Sequence, residues 1–176
     1  MVNNRYFSDY DIKQDLKLSF HGEIYNHEEI NNFLNSYHDT DYLYNSELLL
    51  HLIYLLLNNE IDDLVNHFKE NKDYEFVFSN DNSIEQEFNF LTAILYASMI
   101  VNGDFVFSIS DGENTAISRD DIGSYLLYYG KNNKLLFTNN RKTLKNEGIS
   151  DIKTFKPGCV MFNSELYPPL NPPWKK

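Results

Sequence analysis

At Asp104 the apolar periodicity of this chain changes from helical to alternating, and that switch restricts its possible folds more than any other feature. Beyond it, Phe105, Phe107 and Ile109 fall on one face, Asp111-Gly112 supplies a hairpin-type turn, and Thr115 to Ser118 returns as a partner strand. Tyr125 to Tyr129 and Leu135 to Thr138 are predicted strands around the turn Gly130 to Lys134. Arg141 to Asn146 is a short helix ended by Gly148, and Cys159 to Phe162 is a last strand after Pro157-Gly158. Ahead of the switch, Leu16, Leu18 and Phe20 alternate with Lys17 and Ser19 as a strand, which Gly22 has the backbone freedom to end in a turn. His27 to Tyr37 then carries Ile30, Phe33 and Leu34 as one helical stripe. A second helix starts at Asn45 or Ser46, either of which can cap it, has Glu47 in its first turn, and runs to about Asn58. Ile61 to Glu70 reads as a short amphipathic helix, Tyr74 to Phe78 as a short strand, and Ser83 to Val101 as a long apolar helix. Helices segregated on the faces of an antiparallel sheet define the α+β class.

A length of 176 residues suits one domain, and 42% hydrophobic with 15% aromatic content supplies the apolar surface to fold it. A formal charge of −11 opposes a phosphate backbone, so no nucleic-acid partner is expected. The longest apolar stretch, Leu48 to Leu57, is broken by His51 and is about half a bilayer span, so no membrane association is expected. The start, Met1-Val-Asn-Asn-Arg-Tyr, lacks the features of a secretion signal, and a cytoplasmic location is expected. Cys159 is the only cysteine, which excludes an internal disulfide and a cysteine-built metal site; neither a metal nor a cofactor is expected. The tail from Pro168 to Pro173 reads as an extended linker.

His21-Gly-Glu-Ile-Tyr-Asn26, between a predicted strand and a predicted helix, is similar to the asparagine-synthetase motif Asn-Gly-Glu-Ile-Tyr-Asn. Asn45-Ser-Glu-Leu-Leu-Leu-His-Leu52 resembles that family's Asp-Thr-Glu helix start, with Asn45 in place of the acid. Asn102-Gly-Asp-Phe-Val-Phe-Ser-Ile-Ser-Asp111, Ser118-Arg-Asp-Asp-Ile-Gly123, Leu127-Tyr-Tyr-Gly130, Leu135-Leu-Phe-Thr138, Lys142-Thr-Leu144 and Lys156-Pro-Gly158 continue in the family's order. Together these pieces, from roughly Leu16 to Phe162, resemble the class II glutamine amidotransferase domain of the asparagine synthetase family. The resemblance implies an N-terminal-nucleophile-hydrolase fold, an αββα sandwich of antiparallel sheets, here without the family's first strands. It sets residues 1–165 as the domain, about 59–101 as an insertion, and 166–176 as a proline-rich tail or linker.

In that family an N-terminal cysteine, left by loss of the initiator Met, attacks the glutamine amide with its own α-amino group as base. Here Val2 follows Met1, and Cys159 lies far along the chain. The segment whose Arg holds the glutamine carboxylate also has no counterpart. His21 replaces an Asn whose amide donates to the oxyanion, and Asn45 replaces an Asp that pairs with the glutamine α-ammonium. Loss of one oxyanion donor alone costs about a hundred- to a thousand-fold in turnover. The resemblance therefore implies a degenerate pocket built from His21, Gly22, Glu23 and Asn45, with no catalytic residue.

Plainer roles compete at each position. His21 could be a surface residue, Gly22 a turn residue and Asn45 a helix cap. Arg119 and Asp120 could be an ion pair bracing the hairpin, and Tyr125, Tyr128 and Tyr129 packing residues or an interface. Three functions stay open: an inactive amidotransferase-like domain serving an ATP-dependent amide-forming synthetase, a stand-alone module binding an amino acid or metabolite, and an active glutaminase subunit if a longer form begins Met-Cys. A homodimer could cover the sheet edge left by the absent strands.

Overall fold

The computed structural model describes residues 16–38, 44–58 and 90–168. The expected helix at 61–70, the strand at 74–78, the first part of the 83–101 helix and most of the proline-rich tail lie outside these residues. Among the described residues twelve elements follow in order: β1 (Lys17–Ile24), α1 (His27–His38), α2 (Asn45–Leu57), α3 (Phe90–Ile100), β2 (Gly103–Ser110), β3 (Thr115–Arg119), β4 (Tyr128–Lys131), β5 (Leu135–Thr138), α4 (Arg141–Asn146), β6 (Lys153–Thr154), β7 (Val160–Phe162) and β8 (Glu165–Tyr167).

The strands form two antiparallel sheets, one ordered β1-β2-β3-β7-β8 and one ordered β5-β4-β6. Along β1 and β2, Leu18 opposes Ile109, Phe20 opposes Phe107 and Gly22 opposes Phe105, which puts these apolar side chains on one face. That face meets the helical layer. α2 and α3 are apolar nearly all round, with seven buried residues each, because α2 is covered by α1 and β1 as well as by α3, and α3 also lies on β3 and β7. The opposite face of the large sheet packs on the small sheet through Ile117, Leu127, Phe155, Cys159 and Met161, with Val106, Tyr129, Leu135 and Phe137 at the margin. α4 lies against β4 and β5 and completes an α, β, β, α order of layers. Gly148 N–H donates to Lys145 O and Ile149 N–H to Leu144 O, closing α4 with Gly148 at positive φ as a Schellman cap.

Four local expectations are corrected. β1 does not end at Gly22 but runs on to Ile24, so the glycine sits inside the strand. Asn45 and Ser46 do not cap α2: the cap position belongs to Tyr44, without a side-chain cap hydrogen bond, and Asn45 is the first helical residue. Tyr125 to Leu127 is loop, and the strand begins at Tyr128. Arg119 and Asp120 brace the structure through backbone groups. The Arg119 guanidinium donates to the carbonyls of Phe155 and Gly123. Asp120 accepts from the N–H groups of Phe105, Gly123 and Ser124 at 3.3, 2.6 and 3.1 Å. Both side chains are buried; burial lowers the Arg119 pKa, and the charge of Asp120 opposes that shift.

Candidate functional site

On the face of β1 away from the helices, Lys17, Ser19, His21 and Glu23 are exposed. Among the described residues β1 is an edge strand, and the core between the sheets takes its side chains from β2 onward, so this face is open. Glu23 stands directly across from Asp104, and His21 across from Val106. The loop after β3, held by Arg119 and Asp120, brings Ser124 and Tyr125 alongside. The His21 ring meets Tyr125 edge-on with centroids 4.6 Å apart. Ser124 Oγ donates to Asp104 Oδ1 at 2.6 Å, and Tyr25 Oη to Asp104 Oδ2 at 2.7 Å.

These two hydrogen bonds favour the charged carboxylate, and Asp104 is held below its usual pKa first by Ser124 and then by Tyr25. The hydrogen bond to Asp104 pushes the Tyr25 hydroxyl up to about 12, because its phenolate would face a carboxylate. The array thus keeps a fixed negative charge beside an imidazole and a phenol, a combination able to hold a small cationic or zwitterionic group.

Gly22 has φ +133°, and a Cβ built there would lie 2.0 Å from Asp104 O and 2.8 Å from Phe105 Cα. Gly103 mirrors it, since its Cβ would lie 2.1 Å from Glu23 O. The two glycines let β1 and β2 approach where the motif crosses. Asn26 ties the end of the motif to the strand entry, donating to Ile100 O and accepting from Asn102 N–H, each at 2.9 Å.

Of the four residues singled out from sequence, His21, Gly22 and Glu23 are consecutive on β1. Asn45 opens α2 in the helical layer, whereas His21 and Glu23 point to the other face of the sheet. Asp104, Ser124 and Tyr25 belong to the array and were not among the sequence candidates. In the sequence Tyr25 lies within the first motif and Asp104 within the Asn102–Asp111 piece, but their meeting is not legible there because the pairing of Glu23 with Asp104 depends on strand register. Cys159 is 4% exposed between the sheets, and burial raises its thiol pKa. Among the described residues, no cluster of His, Cys, Asp or Glu could hold a metal ion, and no helix is long and apolar enough to cross a membrane.

Two antiparallel sheets between helical layers, with a glycine-distorted edge strand beside a charge-braced loop, make an α+β domain with the αββα layer order expected of an N-terminal-nucleophile-hydrolase-like fold. The chain is similar in fold to glutamine phosphoribosylpyrophosphate amidotransferase from B. subtilis, solved with ADP and GMP, at a TM-score of 0.60 and 13% identity. That match covers 95% of this chain and 30% of the amidotransferase. A structure described as the allosteric regulatory enzyme of purine biosynthesis matches at a TM-score of 0.59 and 14% identity, over 86% of this chain and 27% of that one. This chain therefore spans less than a third of either neighbour, and identities this low speak for the fold alone. No protein-family profile matches the chain, and no curated protein does.

Proposed function

We propose that this chain is a class II glutamine amidotransferase-like domain of the asparagine synthetase type without glutaminase activity, serving as the structural or regulatory partner of an ATP-dependent amide-forming synthetase. The position of Cys159 supports this most directly. It is the sole cysteine of the 176 residues, it is enclosed between the sheets away from the open face of β1, and burial disfavours its thiolate. His21 stands at the oxyanion-donor position of the resembled motif, but its ring packs edge-on against Tyr125. The test is glutamine hydrolysis by the purified, mass-verified chain, followed as glutamate and ammonia release with and without ATP and aspartate. The expected result is no turnover from folded protein, and turnover above background defeats the proposal.

A second reading draws on the Asp104 array: a module that binds an amino acid or related metabolite, with Asp104 and Glu23 facing the ammonium. A ligand that binds only the folded state at a hundred times its Kd stabilises it by about 2.7 kcal/mol, so a thermal-shift panel of amino acids would reveal it. A flat response across the panel removes this reading.

A further inference from the structure

We propose that the outer layer of the small sheet is a docking surface for an acidic segment of a partner protein. The chain is acidic overall, with 26 Asp and Glu against 15 Lys and Arg, but the cations are segregated. Lys131, Lys134, Arg141, Lys142, Lys145, Lys153 and Lys156 fall in one stretch whose only acids are Glu147 and Asp151. The helices α1, α2 and α3 contain no Lys or Arg, and Glu28, Glu29 and Glu47 occupy the first turns of α1 and α2.

The fold gathers five of these cations, Lys131, Lys134, Arg141, Lys142 and Lys145, at one pole where the β4–β5 turn meets α4. Asn132 Nδ2 donates to Glu147 O at 3.1 Å, tying the β4–β5 turn, with Lys131 and Lys134, to the end of α4, where Lys145 sits in the last turn. Arg141 and Lys142 open the same six-residue helix. Leu144 is buried, and Ile149 packs so closely on Gly130 that a Cβ there would lie 2.5 Å from the isoleucine side chain, so helix and hairpin are fixed together. Lys153, across from Tyr129 of β4, shares the face that meets the large sheet, and Lys156 lies two residues before Gly158, whose N–H donates to Asp120 O, so neither belongs to this pole. All seven cations are exposed. Among the described residues Lys153 alone of the seven meets a carboxylate, that of Asp151 at 3.3 Å, with both side chains mostly in solvent.

The acidic helical layer does not neutralise this pole at ordinary ionic strength. Stacked sheets lie about 10 Å apart, and the helices lie beyond the second sheet, whereas the Debye length is about 10 Å at 0.1 M salt. The pole fits an acidic peptide better than a nucleic acid. Four of its five cations are lysines rather than the arginines that fork onto phosphates. Among the described residues, none of the exposed large hydrophobics, Tyr25, Tyr44, Ile122 and Leu126, lies within it to stack on a base. Without an apolar centre, the contact is a salt-sensitive, electrostatically steered one. This inference is independent of what the open face beside His21 binds or fails to hydrolyse.

The test uses the full chain and fluorescence anisotropy with two labelled probes, a poly-glutamate of about 20 residues and a single-stranded DNA of about 20 nucleotides, at about 50 and 300 mM salt. Poly-glutamate should bind at low salt and weaken at least about tenfold at high salt. The variant K131E/K134E/K145E should weaken low-salt binding at least about tenfold while keeping its melting transition, and Lys17→Glu on β1 should change it less than about twofold. If the reversal variant misfolds, K131Q/K134Q/K145Q should show a smaller loss in the same direction. Absence of poly-glutamate binding, an equal loss in the Lys17 control, or tighter binding of DNA than of poly-glutamate overturns the proposal.

Discussion

Replacing Gly22 by alanine tests whether the motif glycine is held in place by strand packing. Two separable costs meet there. A non-glycine residue held at φ +133° costs about 1–3 kcal/mol. A methyl group placed 2.0 Å from Asp104 O must push β1 off β2, at about another 1–3 kcal/mol. The sum, about 2–6 kcal/mol, is a large part of the roughly 5–15 kcal/mol that holds a domain folded. Two further glycines divide the costs. Gly103→Ala meets a backbone oxygen at 2.1 Å without a positive φ, and should show only the steric part. Gly112→Ala has φ +95° and nothing within 4 Å, so it should show only the conformational part, about 1–2 kcal/mol. Urea unfolding of the three variants gives the ranking through midpoints at constant slope. Gly22→Ala should lose the most, and a loss below about 0.5 kcal/mol, or one no greater than for Gly112→Ala, would refute the close approach of the strands.

Asp120→Ala strips the acceptor from the buried N–H of Phe105 and from those of Gly123 and Ser124, and should cost about 3 kcal/mol, seen as a fall in Tm of about 6–12 °C. Ser164, at φ +77° in the two-residue turn between β7 and β8, pays for a conformation glycine adopts freely; Ser164→Gly should stabilise by about 0.5–1 kcal/mol in thermal melts. Asp104 should titrate below a free aspartate by carboxyl NMR and move up in Y25F/S124A, which lacks both donors; an unmoved titration would contradict the geometry. Because its folded pKa is depressed, the stability it contributes is present above the unfolded pKa and is lost as pH falls through the folded one.

The period switch at Asp104 was enough to place β2, β3 and the hairpin between them, because β2 is buried on alternate residues along its whole length. β6 and β8 leave no such trace: with two and three residues they are defined by pairing to β4 and β7. Tyr125 to Leu127 has strand-like composition, yet the bonds from Gly123 and Ser124 to Asp120 bend it into a loop. Gly22 reads as a turn for a similar reason. A glycine after an alternating run commonly marks a strand end, and only the partner strand shows that its missing side chain makes room for Asp104 O. Of the candidate array only the β1 stretch stood out in the sequence, since Asp104 and Ser124 join it through register and a braced loop.

The residues that carry the sequence resemblance divide by physical role, and the division bears on what the resemblance can prove. Gly22 and Gly103 permit the strand approach, Asn26 locks the turn to Ile100 and Asn102, and Arg119, Asp120 and Gly123 form a buried brace. Each of these has a folding reason in this chain and would be needed whether or not glutamine is ever hydrolysed. The two departures from the resembled motifs that change the chemistry of the side chain, His21 and Asn45, carry no comparable structural duty in the contacts described above. His21 is exposed against one ring, and Asn45 stands inside the helix that Tyr44 begins. A scaffold can retain its bracing residues while its chemistry drifts, because losing a brace costs kilocalories of stability and losing an oxyanion donor costs none. The motif likeness thus supports the fold strongly and the activity hardly at all, and the question of function rests on the open face of β1 and the basic pole opposite the helical layer.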